Sequence, residues 1–234
     1  MSRKHTAWIE FNGVKSTDLY AYLSEYPSRP RAEARGEWAK ILGKSGALWA
    51  PGNAYELTEI KCGLLATSEA NEITLRHWLS GSGNLIFSDE PLYAFKARVV
   101  KAADFQKIGE TKMIKITVTF FCQPFRYLAE PSTITVTGSQ NIDNPGSYFS
   151  EPVIQVSGSG SGGVIIGGVE TEISDLSGGV VIDSEARLAY NPAADVNLSG
   201  RISGEWPAFQ VGKNQVSFTG GVTGLLIAPN WRWI

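Results

Sequence analysis

The sequence predicts a mainly β protein of two domains, the first carrying a single α-helix and the second an all-β sandwich or jelly roll. Three observations carry this. Several segments alternate apolar and polar residues with a period of two, the mark of half-buried strands. Only one segment has the three-and-four spacing of an amphipathic helix. The composition also changes near residue 128: residues 1–128 hold 17 Lys/Arg against 13 Asp/Glu, a net of +4, whereas residues 129–234 hold 4 against 10, a net of −6. Sixteen of the 25 glycines fall in the second part. The boundary is expected at Ala129-Glu130-Pro131-Ser132, where proline and small polar residues mark a linker, giving domains 1–130 and 131–234.

In the first domain the clearest strand is Lys112 to Cys122. Ile114, Ile116, Val118, Phe120 and Cys122 share one face, and Lys115, Thr117 and Thr119 the other. Tyr93, Phe95, Ala97 and Val99 alternate with Lys96 and Arg98 in the same way, and Glu56 to Ala66 is a third strand. The helix is expected from Glu69 to Leu79, with Ser68 as N-cap and Glu69 and Glu72 at its positive end. Leu75, Trp78 and Leu79 form its apolar stripe, and Gly81-Ser82-Gly83 ends it. Residues 27–54, rich in Pro, Gly and Arg, read as a long loop or arm with at most a short strand.

The second domain reads as short strands between glycine clusters: Thr133–Val136, Val153–Val156, Val164–Ile166, Val180–Asp183, Gln215–Phe218 and Leu225–Ala228. Ser157 to Gly163, alternating serine and glycine, reads as a long hairpin loop between two apolar strands. No repeat of fixed period is present.

The composition excludes several classes. Hydrophobic residues make up 43% of the chain, too many for wholesale disorder. The net charge of −2 carries no overall signature of binding to nucleic acid or acidic membranes. No apolar run approaches a membrane span, and the basic start through His5 lacks the apolar run of a signal peptide. Cys62 and Cys122 fit no metal or redox spacing, and reduced thiols after intracellular synthesis are expected.

Catalytic patterns are equally sparse. His5 and His77 are the two histidines. His77 lies beside the helix stripe, with no ligand or nucleophile at a useful spacing. Gly43-Lys44-Ser45 resembles the end of a phosphate-binding loop, but the required earlier glycine falls at Trp38, so a turn between strands is expected. The carboxylate pairs Asp183 with Glu185 and Asp195 with Glu205 are candidates for sugar cleavage only if each flanks a cleft; ends of strands facing water are the simpler reading. Trp206, Phe209, Trp231 and Trp233 sit late in the sandwich. Trp206 and Trp231 are candidates for a carbohydrate or partner platform, against the alternative that such rings fill the core. Arg29, Arg31, Arg35, Lys40 and Lys44 cluster with Glu33 and Glu37, either as a solvated face or as an arm reaching a neighbouring subunit. No enzyme activity, metal or cofactor is expected.

The order of short motifs resembles the distal tail (Dit) proteins of long, non-contractile-tailed phages. Phe11-Asn12-Gly13-Val14 with Ser16 and Leu19 resembles their opening. Gly43, Gly46 and Tyr55 follow, then Trp78-Leu79, Asn84–Phe87, Asp89 and Tyr93-Ala94, and a first-domain ending at Val118, Phe120, Cys122, Pro124, Phe125 and Tyr127. The second part adds Asn144-Pro145-Gly146, Pro152-Val153-Ile154, Gly158, Ile182-Asp183-Ser184, Trp206-Pro207, Gly212, Asn214 and Pro229-Asn230-Trp231-Arg232. The resemblance covers nearly the whole chain, although residues 27–54 do not align.

It implies a tail-tube-like N-terminal β-sandwich and a galectin-like C-terminal one. It further implies a homo-hexameric ring at the tail tip, within the virion, of a protein synthesised in the host cytoplasm. The partners implied are the tail tube protein, a tail-associated lysin or tail fibre hub, and receptor-binding proteins. DNA would pass through the ring without stable binding, and no membrane is involved. Under this reading residues 27–54, through Arg29, Arg31, Arg35 and Lys40, are expected to make the ring contact. A sugar-binding protein acting through the C-terminal sandwich is the alternative.

Overall fold

The computed structural model describes residues 7–234, and His5 lies outside the described residues. The chain divides into two compact units, one running through Ala129 and one from Glu130 to Trp233. Each is mainly β.

The first unit contains β1 (Ile9–Phe11), β2 (Val14–Lys15), β3 (Ala21–Leu23), β4 (Ala34–Ala39), β5 (Leu48–Tyr55), β6 (Thr58–Ala66), α1 (Glu72–Trp78), β7 (Gly81–Phe87), β8 (Tyr93–Val99), β9 (Asp104–Lys107) and β10 (Ile114–Leu128). Eight of these strands form one antiparallel sheet in the order β2-β1-β7-β8-β10-β6-β3, with β9 beside the first half of β10. The period-two pattern explains why. Ile60, Cys62, Leu64 and Ala66 of β6 and Ile114, Ile116, Val118, Phe120 and Cys122 of β10 are buried on one face, paired in register with Ile116 opposite Leu64 and Val118 opposite Cys62. Each fully buried Ile, Leu or Phe contributes about 1.5–3 kcal/mol. The strand ending expected at Cys122 continues to Leu128, because a register shift between Cys122 and Arg126 accommodates Pro124, which cannot donate to a regular ladder.

Helix α1 packs Leu75 and Trp78, followed by Leu79, into the same core, and Trp78 donates its indole N–H to the Phe11 carbonyl at 3.0 Å. The helix starts later than Ser68 predicts. Asn71 is the cap, its side-chain oxygen accepting from the amides of Ile73 (3.0 Å) and Thr74 (3.2 Å).

The second unit contains β11 (Ile134–Val136), β12 (Gln140–Asn144), β13 (Val153–Ile166), β14 (Val169–Ile173), β15 (Val180–Asp183), β16 (Leu188–Tyr190), β17 (Ile202–Gly204) and β18 (Gly212–Ala228). Four segments expected as separate strands are the two ends of just two long ones. Val153–Val156 and Val164–Ile166 both belong to β13; Gln215–Phe218 and Leu225–Ala228 both belong to β18. These two strands pair along their length, and each changes its other partner midway. The first part of β13 pairs with β15 and the last part with β14; the first part of β18 pairs with β12 and the last part with β11.

The change happens where the register shifts, around Gly158 to Gly162 opposite Gly220 to Val222. Ser157 to Gly163 is therefore strand, not a hairpin loop. Glycine makes this crossing possible: a Cβ at Gly221 would overlap the Ser159 carbonyl, and one at Gly158 would overlap the Gly221 carbonyl. Strands that switch partners at a bulge form the corner of a folded-over sheet. Next to it, β13 and β14 are joined by Gly167-Gly168, both with positive φ (60° and 85°), as a two-residue hairpin turn requires.

Candidate functional site

The segment 27–54 is not a long loop. After residues 27–33 it becomes an antiparallel ribbon, β4 paired with β5, that belongs to neither large sheet. Gly43 sits at the turn, where Lys44 donates its amide to Ile41 at 3.1 Å and Gly43 takes a φ of 78°. This is the turn between strands that Gly43-Lys44-Ser45 predicts. Every residue of β4 is exposed. Trp38 and Trp49 stand directly opposite in register and pack edge to face, with ring centroids 5.1 Å apart. The Trp49 ring also lies over Gly36, where a Cβ would overlap it. A lone two-stranded ribbon is marginal in water, and this aromatic pair is its internal staple. Trp38, Ile41, Leu42, Leu48 and Trp49 remain exposed.

The four basic residues expected at a subunit contact occupy different situations. Arg29 is turned inward on its own chain: it pairs with Asp89, reaches Glu90 at 3.3 Å and lies over the Phe87 ring at 4.9 Å. The hydrogen bonds it donates to the Asp89 carboxylate raise its already high pKa further. Arg126 of β10 also reaches Glu90 at 3.3 Å, so Glu90 links Arg29 to the sheet. Arg35 bonds Glu56 through two nitrogens, at 2.9 and 3.2 Å, across the base of the ribbon. Arg31 and Lys40 are exposed and make no ion pair among the described residues.

The second candidate surface changes character in the structure. Trp231 is buried, 7% exposed, and packs edge to face on buried Phe209 with centroids 5.2 Å apart. It cannot serve as an exposed platform, and the core reading of this ring is correct. Trp206 is half-buried. Next to Trp231, Arg232 is 3% exposed and binds Glu151 at 2.7 Å and Glu185 at 3.3 Å. That ion-pair group closes the end of the unit, where Asn230 donates to the Glu151 carbonyl and Tyr148 bridges Arg232. A buried arginine was not read from the sequence; the only available signal was its place between two tryptophans.

Three of the four candidate carboxylates have structural partners, and Glu205 is exposed. Asp183 accepts the Ala186 amide at 2.9 Å, Glu185 binds Arg232, and Asp195 accepts from the Asn191 side chain at 2.7 Å. A shallow polar groove of about 310 Å³ lies on the exposed face of β14, where Glu170 accepts from Thr219 (2.9 Å) and Glu172 from Ser203 (3.1 Å). Its floor includes Gly162 and Gly220, which the strand crossing requires in any case. Asp175 is held below the usual carboxylate range by hydrogen bonds from Ser177.

In the first unit, burial pushes the Cys62 and Cys122 thiols up to about 12, which keeps them protonated and unreactive. His77 is exposed on α1. Among the described residues no group of three or more His, Cys, Asp or Glu side chains is placed to hold a metal ion. No helix among them is long and apolar enough to cross a membrane.

No family model matches the chain, and no curated protein sequence matches it. A solved structure does. The crystal structure of the SPP1 Dit protein, described as a paradigm of the hub adsorption apparatus of phages infecting Gram-positive bacteria, superposes with a TM-score of 0.71. Sequence identity is 18%, and the match covers 95% of this chain and 98% of that one. Over nearly its whole length, this chain has the fold of the SPP1 Dit protein.

Proposed function

We propose that this chain is a hub protein at the distal end of a phage tail. The observation that carries the reading is the fold match to SPP1 Dit across both units at once, over 95% of this chain and 98% of that one. The ordered motifs from Phe11-Asn12-Gly13-Val14 to Pro229-Asn230-Trp231-Arg232 point independently to the same family. In this role the chain forms a hexameric ring that joins the tail tube to receptor-binding and tail-tip proteins and leaves a passage for DNA. The first unit takes the tube-like, ring-forming part. The second, galectin-like unit carries partners.

A cyclic ring uses a head-to-tail interface, so each copy must present two different complementary patches. The segment 27–54 supplies one of them. The passage guides DNA without gripping it, since tight phosphate contacts would oppose ejection; no salt-sensitive DNA binding is expected at physiological ionic strength. The carbohydrate alternative is weakened because Trp231 lies in the core.

The test is the solution mass by light scattering, with negative-stain imaging of the same sample. Six copies of 25.4 kDa give about 150 kDa, and a six-fold ring with a central hole, single or stacked, is the expected image. A chain that is monomeric throughout a concentration series, and that adds to no tail-tube assembly, rejects the reading.

A further inference from the structure

Two serine hydroxyls of the second unit, those of Ser150 and Ser184, are fully buried and meet no hydrogen-bonding partner among the described residues. Comparable buried side chains are engaged. Ser16 accepts the Ile9 amide at 3.3 Å, Thr171 donates to the Glu205 carbonyl, and Asn144 and Asn214 each make three bonds to nearby backbone. A hydroxyl taken out of solvent and left unpaired opposes folding, and two such groups side by side call for a shared partner.

The two serines are neighbours on one ladder. β13 and β15 pair in register from Val156 opposite Val180 to Val153 opposite Asp183. The Ser184 amide carries the ladder one step further by donating to the Pro152 carbonyl at 3.1 Å. Ser184 therefore stands opposite Pro152, and Ser150 lies two residues before Pro152. Burial alternates without a break: Ser150, Pro152 and Ile154 turn inward on one strand, Ile182 and Ser184 on the other. Glu151 and Glu185 alternate with them, and Arg232 binds both. Diagonal neighbours on one face of a ladder lie about 7–8 Å apart at Cα and closer at Cβ. Hydroxyls so placed are too far apart to bond each other, and one water bonding each at about 2.8 Å spans the gap.

We propose that a single buried water bridges the Ser150 and Ser184 hydroxyls as a fixed part of the second unit. The chemistry selects water. Each hydroxyl both donates and accepts, as water does. An ion would need charge on this face, and the charged residues next in sequence, Glu151 and Glu185, are engaged with Arg232. An apolar filler would leave both hydroxyls unpaired. The water pins the chain where it approaches β13 to the chain where it leaves β15. This inference goes beyond the hub reading and does not rest on it.

The experiment is a crystal structure of the full-length protein at a resolution that shows ordered water, with urea unfolding of the wild type, Ser150→Ala, Ser184→Ala and the double variant. One water within hydrogen-bond reach of both hydroxyls is expected. Each single variant is expected to lower the folding equilibrium constant of the second unit about fivefold, because it leaves the water and the other hydroxyl short of a bond. The double variant then costs little more than either single one. Two unbridged hydroxyls give the opposite sign, since removing one relieves a buried polar group.

A site without water, or hydroxyls bonded to other groups of the protein, overturns the inference. So does either single variant that is as stable as the wild type or more so. If a variant fails to fold, the wild-type crystal structure decides alone. None of these results bears on the hub reading, which the ring decides.

Discussion

Two antiparallel ladders in this chain handle the same physical problem in opposite ways. The β4–β5 ribbon is open on both faces and is held by side chains: Trp38 against Trp49, Arg35 against Glu56. The β13–β18 ladder runs through the middle of the second unit and is folded over by the absence of side chains at Gly158, Gly162, Gly220 and Gly221. In the ribbon, glycine serves a turn and seats one aromatic ring. In the ladder it lets two backbones cross closer than any Cβ permits. The difference teaches where each region is vulnerable. A ribbon tolerates changes that leave its staple intact, whereas the crossing tolerates almost no added atom.

The sharpest way to break this contrast is Gly221→Ala. The new methyl would overlap the Ser159 carbonyl, a backbone atom that cannot swing aside. A loss of about 3–5 kcal/mol of unfolding free energy is expected, read from the urea midpoint of the second-unit transition. Next in size is Arg232→Ala at the end of that unit. It strips Glu151 and Glu185 of a buried partner, and because both carboxylates keep some solvent contact a loss of about 2–3 kcal/mol is expected. Its check is the same denaturation curve, with Arg232→Met as the milder companion.

A third experiment compares the ribbon with the sheet core through thiol chemistry. With both native thiols raised to about 12 from an ordinary 9.0, a thiol reagent at pH 8 labels neither until the chain unfolds, whereas Leu42→Cys reacts at once. The sign of the pH effect follows. Below pH 9 the thiols are protonated in both states and stability is unaffected. Above it the unfolded chain loses protons that the folded chain keeps, so stability falls as pH rises from 9 toward 12.

The smallest effect belongs to Trp49→Ala. Removing half of the staple frees the ribbon but touches no large sheet, so global stability changes by less than about 1 kcal/mol. Amide exchange over residues 34–55 should nonetheless speed up by more than about tenfold, locating the change in the ribbon alone.

Much of this was legible in the chain. Period-two alternation marked β6, β8 and β10 because one face of each is buried, and the stripe of Leu75, Trp78 and Leu79 marked the helix because its spacing has few other causes. The ordered motifs led to the fold that the structural match bears out. The crossing was hidden because serine-glycine alternation looks the same in a flexible loop as in two backbones pressed together. Only the opposing pair Gly220-Gly221, some sixty residues away, distinguishes them, and pairing at that distance leaves no local trace. The ribbon was half visible: the turn at Gly43-Lys44-Ser45 was read, but its strands carry exposed residues on both faces and so lack alternation. Trp231 was misplaced as a platform candidate because ring size does not reveal which way a ring points.

The folded-over ladder has a mechanical meaning. Because β13 and β18 each run through both halves of the second unit, no plane separates those halves without breaking the same two strands. The unit has no built-in line of cleavage between its halves, so they are expected to open together as one cooperative block rather than separately. Loss of either half alone, with the other half still folded, is therefore not expected.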